Sequence, residues 1–338
     1  MSDLPQPLKS RISVAPMMDW TDRHCRYFHR LMSKRAELYT EMVTADAVIH
    51  GERERLIGFG PTEHPVILQL GGSDADKLAE AARIGANFGY DAINLNCGCP
   101  SDRVQSGTFG ACLMRDPAHI ASLVEAMKRA VDIPVTVKCR IGVDDQNAEE
   151  VLPSFIAAVR DAGVDAVIVH ARKAWLQGLS PKENRNVPPL DYDLVLAMKA
   201  QFPDLWMGIN GGISSLDQAK HLLAKGMDEV MIGRTAYQAP ADILLHADEV
   251  LFDEPAQTKS RADIVEAMLP YIEQHLASGG RLNQITRHMM GLFAGQPGAR
   301  TWRRTLSEGA HLPGAGTELV REALNAVERQ PQPTPRAA

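Results

Sequence analysis

The sequence predicts a (β/α)8 TIM barrel followed by a small C-terminal all-helical domain. Three observations carry that prediction. Eight short apolar runs recur along the first 235 of 338 residues, at 12–17, 37–42, 66–70, 92–96, 135–138, 166–170, 206–210 and 229–232. Several are rich in Val and Ile, as parallel strands covered on both faces are. Amphipathic stretches separate most of them; strand–helix alternation implies a parallel sheet, and eight repeats over roughly 240 residues is the usual size of a closed barrel. After Phe252, Asp253-Glu254-Pro255 breaks the chain and no further strand pattern follows.

Taken in order, the elements agree with this plan. The first run leads into Met17-Met18-Asp19-Trp20, with no glycine. A doubly wound sheet would carry a Gly-rich phosphate turn there. Cys25 falls on a helix and reads as a core residue. Residues 38–42, in the second run, fit a helix as well as a strand. Residues 74–87 read as a helix with Asp74 near its N-cap and Ala82 and Ala86 on one face. Asp116-Pro117 is a helix start, opening 117–131. Residues 149–162 stop before Gly163; 191–200 fill the next gap; 215–224 open on Ser215 and stop before Gly226. Beyond the break, 261–276, 282–293, 299–308 and 317–326 read as helices, and the proline-bearing 330–338 as a frayed tail. The division is a barrel over 1–250 and a helical domain over 251–338.

Composition excludes several classes. At 45% hydrophobic and 23% charged, the chain can bury a core that a disordered chain could not. No apolar run approaches the ~18 residues needed to cross a bilayer, and residues 1–10 lack the basic-then-apolar layout of a signal peptide. Five cysteines, an odd count, argue against a secreted disulfide scaffold. The expectation is a cytoplasmic, monomeric protein with free thiols. The net charge of −6 argues against a nucleic-acid partner only as a total.

Chemistry gathers at the predicted strand ends. Gln69, Asn96, Lys138, His170 and Asn210 close the third to seventh runs. One polar strand end is ordinary, but five converging ends suggest a ligand in the barrel mouth, where the active sites of this fold sit. Two loops of about twenty residues follow strands there, 97–116 and 170–190, against a usual length of ~2–6. They are either decoration or functional. Asn210-Gly211-Gly212 and Gly233-Arg234 can bring backbone N–H groups and a guanidinium to a phosphate, or simply make tight turns. Cys97-Gly98-Cys99-Pro100 lacks the Cys-x-x-Cys spacing of zinc sites, and neither Cys112 nor Cys139 supplies it. A thiol that serves as nucleophile or general acid remains, and Pro100 restricts the backbone of Cys99. Basic residues cluster elsewhere. From 281 to 304 stand Arg281, Arg287, Arg300, Arg303 and Arg304 with no acidic residue and with Trp302 among them; Arg172, Lys173, Lys182 and Arg185 lie near Trp175. Such a mixture suits phosphate contact and base stacking better than a solvated helix face.

Together these residues resemble the tRNA-dihydrouridine synthase family. The strings that carry the resemblance are Ala15-Pro16-Met17, Asn94-Leu95-Asn96 with Gly98-Cys99-Pro100, Lys138 with Arg140, His170-Ala171-Arg172, Asn210-Gly211-Gly212 and Gly233-Arg234. Asp19-Trp20-Thr21-Asp22-Arg23, Lys173-Ala174-Trp175, the stretch from Gly178 to Arg185 and that from Gly298 to Arg304 are similar to its synthase A subgroup. The resemblance implies FMN as cofactor, NADPH or NADH as reductant, no metal, and tRNA uridines 20 and 20a as substrate. It implies that Pro16, Met17 and Met18 line the flavin through their backbone and that Gln69 and Lys138 bond its ring. It further implies that His170, Asn210, Gly211, Gly212, Gly233 and Arg234 hold the phosphate end. Cys99 would be the catalytic acid. Asn96, Lys182, Glu183, Arg185, Asn186, Arg300, Arg303 and Arg304 would meet the RNA. One departure is Cys97, where the family usually has an apolar residue; it reads as a small packing group.

The implied reaction passes hydride from NADPH to FMN, then from flavin N5 to C6 of uracil, with a proton from Cys99 to C5. Two rivals share parts of the pattern. A flavin oxidoreductase acting on a free pyrimidine would need no arginine-rich tail domain. A non-catalytic RNA-binding protein would not need converging polar strand ends.

Overall fold

A pleated strand turns alternate side chains to opposite faces, so each predicted run supplies one row for the helices and one for the barrel interior. The computed structural model describes residues 10–101, 109–256 and 258–329. Among these residues are nine parallel strands: β1 Ile12–Val14, β2 Glu37–Tyr39, β3 Val43–Thr44, β4 Val66–Gly71, β5 Ala92–Cys97, β6 Val135–Arg140, β7 Ala166–His170, β8 Trp206–Asn210 and β9 Glu229–Ile232. β1 pairs with β9 on one side and β2 on the other, β2 pairs with β4, and the order runs on through β5 to β9, so the ring closes. The expected TIM barrel is the observed fold. The tail over 330–338 lies outside the described residues.

The second barrel strand is extended, not helical, and it is interrupted. Leu38 and Tyr39 pair with Val66 and Ile67, whereas Val43 and Thr44 pair with Leu70 and Gly71. Four steps on one strand match three on the other, which is a bulge of one residue. The Thr40 hydroxyl covers the gap by accepting from Gln69 N at 3.0 Å. The first strand stops at Val14, earlier than expected, because Pro16 has no N–H for the ladder.

Helix starts follow the caps visible in the sequence. Asp74, Asp116, Asp191 and Ser215 each accept from a backbone N–H of the first turn of the helices Ala75–Phe88, Pro117–Ala130, Tyr192–Gln201 and Leu216–Ala224. Asn147 does the same for Ala148–Asp161. The outward strand row packs beneath these helices. A Cβ on Gly85 would stand 2.7 Å from Leu68 Cδ2 and 2.8 Å from Ile93 Cδ1, so glycine is what lets that helix approach the sheet. The inward row includes an apolar cluster of Ala15, Tyr39, Ile67, Ala92, Ala166, Ile168 and Met231.

The chain gathers into two compact units. One holds the barrel, through Arg23 and again Arg35–Gly233; the other holds His24–Lys34 and the chain from Arg234 on. The sequence division at 250 follows pattern, whereas this grouping follows space. The second unit is helical: Arg234–Gln238, Pro240–Leu244, Ala247–Phe252, Arg261–Ala277, Leu282–Met289, Ala299–Gly309 and Thr317–Glu328, together with most of Arg23–Met32. The last of these is tied in by Tyr27, stacked on Tyr271 at 3.9 Å, and by the Lys34 N–H on Asp248 at 2.7 Å. The second tail helix ends at Met289, short of the expected Phe293 and two residues before Gly291. Among the described residues no helix is long and apolar enough to cross a membrane.

Candidate active site

Alternation brings the polar strand ends into one mouth. Gln69, Asn96, His170 and Asn210 are buried there. Asn96 Nδ2 donates to Gln69 Oε1 at 2.9 Å, Gln69 Nε2 to Asn94 Oδ1 at 2.8 Å, and Asn94 Nδ2 to Thr136 Oγ1 at 2.8 Å. Across the mouth Lys138 Nζ donates to Asn210 Oδ1 at 3.2 Å, and Asn210 Nδ2 to the Met231 carbonyl at 2.8 Å. Burial, and then the Arg140 charge, bring Lys138 down to about 8. Burial also lowers Arg140, to about 10. Each cation is therefore held at a desolvation cost, which suits a place where negative charge is to be met.

Cys99 follows the tip of β5, half-buried, and its turn is held from three sides. Asn96 Oδ1 accepts from Gly98 N at 3.1 Å and Cys99 N at 3.0 Å. The Arg140 guanidinium donates to the Gly98 carbonyl at 3.2 Å, and Ala111 N to the Cys99 carbonyl at 2.9 Å. The thiol itself lies 3.4 Å from Ser101 Oγ. Cys97 is different: it is fully buried in the outward row, and burial pushes its thiol well above the ordinary value. Packing is the role its position supports. Cys25 is fully buried too.

Arg140 also reaches the loop after β7. Its Nη1 donates to the carbonyls of Asn184 at 3.0 Å and Lys173 at 3.3 Å. Asn184 is fully buried and organises that loop, donating to the Trp175 and Leu179 carbonyls at 2.8 and 3.0 Å and accepting from Trp175 N at 2.7 Å. Glu183 braces it further by accepting from Ser180 N and Ser180 Oγ at 2.8 and 2.6 Å, and these bonds lower its carboxyl. Lys182, Glu183, Arg185 and Asn186 are left exposed on this frame.

On β1's side, Pro16-Met17-Met18 forms a turn pinned by Thr21, whose hydroxyl accepts from Met17 N at 3.0 Å. After β8, Gly211 and Gly212 take φ of +119° and +68°, a region that L side chains rarely enter. The Tyr192 hydroxyl donates to the Gly211 carbonyl and fixes the turn. Gly233 sits with its α-carbon facing Ala15 and Met17: a Cβ there would meet their side chains at 3.5 and 3.7 Å.

The second unit has its own polar face. Arg300, Arg303 and Arg304 are exposed along one side of Ala299–Gly309, at the three- and four-residue spacing that shares a helix face, and none makes an ion pair among the described residues. Trp302 corrects the sequence expectation. It is fully buried, donates Nε1–H to the Met289 carbonyl at 2.9 Å and meets Phe293 edge-on, so it anchors this helix and does not stack a base. Arg234 opens the helix Arg234–Gln238.

The family model described as dihydrouridine synthase matches residues 13–328. The chain belongs to the dihydrouridine synthase family. Among curated relatives, a tRNA-dihydrouridine(20/20a) synthase of Shewanella oneidensis is 57% identical over 95% of both chains. One of Vibrio vulnificus is 55% identical over 95% of this chain and 98% of its own, and one of Synechocystis is 55% identical over 93% and 94%. As a member of this family the chain is an enzyme, and the barrel mouth is its candidate active site. Sequence reasoning did not single out Asn94, Thr136, Arg140 or Asn184 as working residues. A signal was present for three of them. Asn94 and Asn96, and Thr136, Lys138 and Arg140, recur at i, i+2 inside apolar runs, which marks a polar inward row. Asn184 had no such signal, because its work is done on loop backbone. Among the described residues no group of three His, Cys, Asp or Glu could hold a metal.

Proposed function

We propose that the chain reduces the C5–C6 double bond of uridine to 5,6-dihydrouridine in the D-loop of tRNA, at positions 20 and 20a, with FMN as cofactor and NADPH as reductant. The observation that carries this is the Cys99 turn, braced by Asn96 and Arg140 beside the cation Lys138. The names of the relatives point to the same substrate.

The residues fit a flavin by the chemistry of their donors. Gln69 and Lys138 offer an amide and an ammonium to a polar ring, and the Pro16–Met18 backbone offers a wall. The Gly211–Gly212 turn, Gly233, His170 and Asn210 make a cradle for a phosphate end. When bound, FMN supplies the hydride that goes to C6 of uracil. The protein's own part is proton and position. Cys99 gives its thiol proton to C5 and is reprotonated from solvent; as the acid it must hold that proton until transfer. Lys138, charged below about pH 8, provides a positive field in the mouth. Asn96 has three of its four hydrogen-bonding positions engaged among the described residues, so one N–H is left to read a uracil carbonyl. Extruding the base costs a few kcal/mol. Contacts from Lys182, Arg185 and Asn186 in the barrel unit, and from Arg300, Arg303 and Arg304 in the helical unit, offset it.

The test is mass spectrometry of tRNA from cells lacking the protein. Dihydrouridine at 20 and 20a should vanish and return with the wild-type chain. Unchanged tRNA, with a free pyrimidine reduced by the purified protein, would move the substrate to a small molecule.

A further inference from the structure

The four linked side chains beneath Cys99 have a direction. Gly98 N and Cys99 N can only donate, so Asn96 must present its carbonyl oxygen to them. Its NH2 then faces Gln69, which must present Oε1; Gln69's NH2 faces Asn94, which must present Oδ1; and Asn94's NH2 faces Thr136. The chain ends on a hydroxyl that accepts from Asn94 and donates, over 3.5 Å, to the Ile93 carbonyl. An amide's two ends are nearly the same shape, so packing does not choose between them. The hydrogen bonds do. Asn94 and Thr136 are fully buried and out of reach of a substrate.

We infer that Thr136 is a positioning residue for the catalytic turn: the Gly98 and Cys99 N–H groups fix the direction of Asn96, Gln69 and Asn94, and Thr136, as the terminal acceptor, satisfies the last amide of that chain and so keeps it holding the backbone that carries Cys99. This rests on the proposed role of Cys99 as proton donor. Without an acceptor at 136, the Asn94 NH2 is buried and unsatisfied. Turning that amide over relieves it but sets NH2 against NH2 at Gln69. The same conflict then passes to Asn96, whose NH2 would face the two N–H groups of the turn. A relay of this kind transmits a defect over the length of the chain because each member has only one compatible neighbour state. Gln69 belongs both to the relay and to the proposed flavin contacts, so its orientation is set from below as well.

Thr136→Val keeps the shape and removes the acceptor, whereas Thr136→Ser keeps the acceptor and removes the methyl. The first readout is amide hydrogen exchange at Gly98 and Cys99, which needs neither substrate nor turnover. The second is the pair of half-reactions, flavin reduction by NADPH and reoxidation by tRNA. Thr136→Val should speed exchange at the two amides about tenfold and slow tRNA-driven reoxidation about tenfold, with a smaller loss in NADPH-driven reduction, which the relay reaches only through Gln69. Thr136→Ser should return each to within about twofold. Unchanged exchange at both amides in Thr136→Val overturns the inference, and so does equal damage in Val and Ser, which would mean packing alone. If Thr136→Val does not fold, Thr136→Ala reads the same loss in a smaller side chain. Cys99→Ala separates the two levels. Normal turnover in that variant would remove the proton-donor role, while the exchange measurement would still decide the relay.

Discussion

From the mouth of the barrel inward, Asn96, Gln69, Asn94 and Thr136 pass hydrogen bonds in one direction, with Lys138 and Arg140 as cations at the mouth. At the floor, near the N-terminal ends of β1, β2 and β9, the inward row is acidic. Glu37 and Glu229 are buried there with Ser13 and Tyr39, and the Ser13 hydroxyl donates to Glu229. Burial acts on both ends and moves both toward neutrality. It brings Lys138 down to about 8, pushes Glu229 up to about 7, and raises Tyr39 well above its ordinary value. The physical cause is the same, and the consequence differs with access. In the proposed function the mouth meets a substrate that can use its charge, whereas the floor's charge has only the fold to act on. A buried polar group is therefore not by itself a sign of catalysis, and the comparison makes distinct predictions for turnover.

The largest effect belongs to Cys99→Ala, which should lower uridine reduction by about 10²- to 10⁴-fold while the protein keeps bound flavin and tRNA affinity. Cys97→Ala, two residues away but in the outward row, should lose stability and little activity. Single-turnover assays on both variants decide it, and activity lost in Cys97→Ala but retained in Cys99→Ala would exchange their roles.

Lys138 comes next. Because its ammonium titrates near 8, flavin reduction in the wild type should slow as pH rises through about 8, where the charge is lost. Lys138→Met should be at least about tenfold slower at neutral pH and flat across that range. A wild-type pH profile that persists unchanged in Lys138→Met would assign the titration to another group.

The same contrast governs what is legible in the sequence. The strands were legible because burial on both faces demands Val and Ile. The mouth was legible because Gln69, Asn96, Lys138, His170 and Asn210 break that demand at strand ends. The floor was not, since Glu37 and Glu229 sit at strand starts, where a polar residue looks like the edge of a loop. The bulge after Tyr39 was hidden as well: it depends on the offset between two pairings, 38 with 66 and 43 with 70, and no single run contains that information. Trp302 was misread for a related reason. Among arginines it resembles a stacking platform, but helix periodicity turns it inward, away from Arg300, Arg303 and Arg304.

The smallest effect on turnover, and the sharpest test of the floor, is Glu229→Gln. Glu229 is a carboxyl raised from 4.5 to about 7 by burial, with Asp228 adding a like charge and the Ser13 bond working against both. Between those two values the folded chain holds a proton that the unfolded chain has released. Stability therefore falls as pH rises through this window and levels off above it, by roughly 3 kcal/mol at most. Glutamine keeps the shape and can still accept from Ser13, but it has no proton to lose. Urea midpoints measured from about pH 5 to about pH 8 should fall less steeply in Glu229→Gln, which should be the more stable protein at the alkaline end. Turnover at neutral pH should stay within about twofold of wild type, since the proposed chemistry uses no group at the floor. A variant with the wild-type pH slope but a collapsed rate would place Glu229 in the working machinery and erase the distinction between the two ends of the barrel.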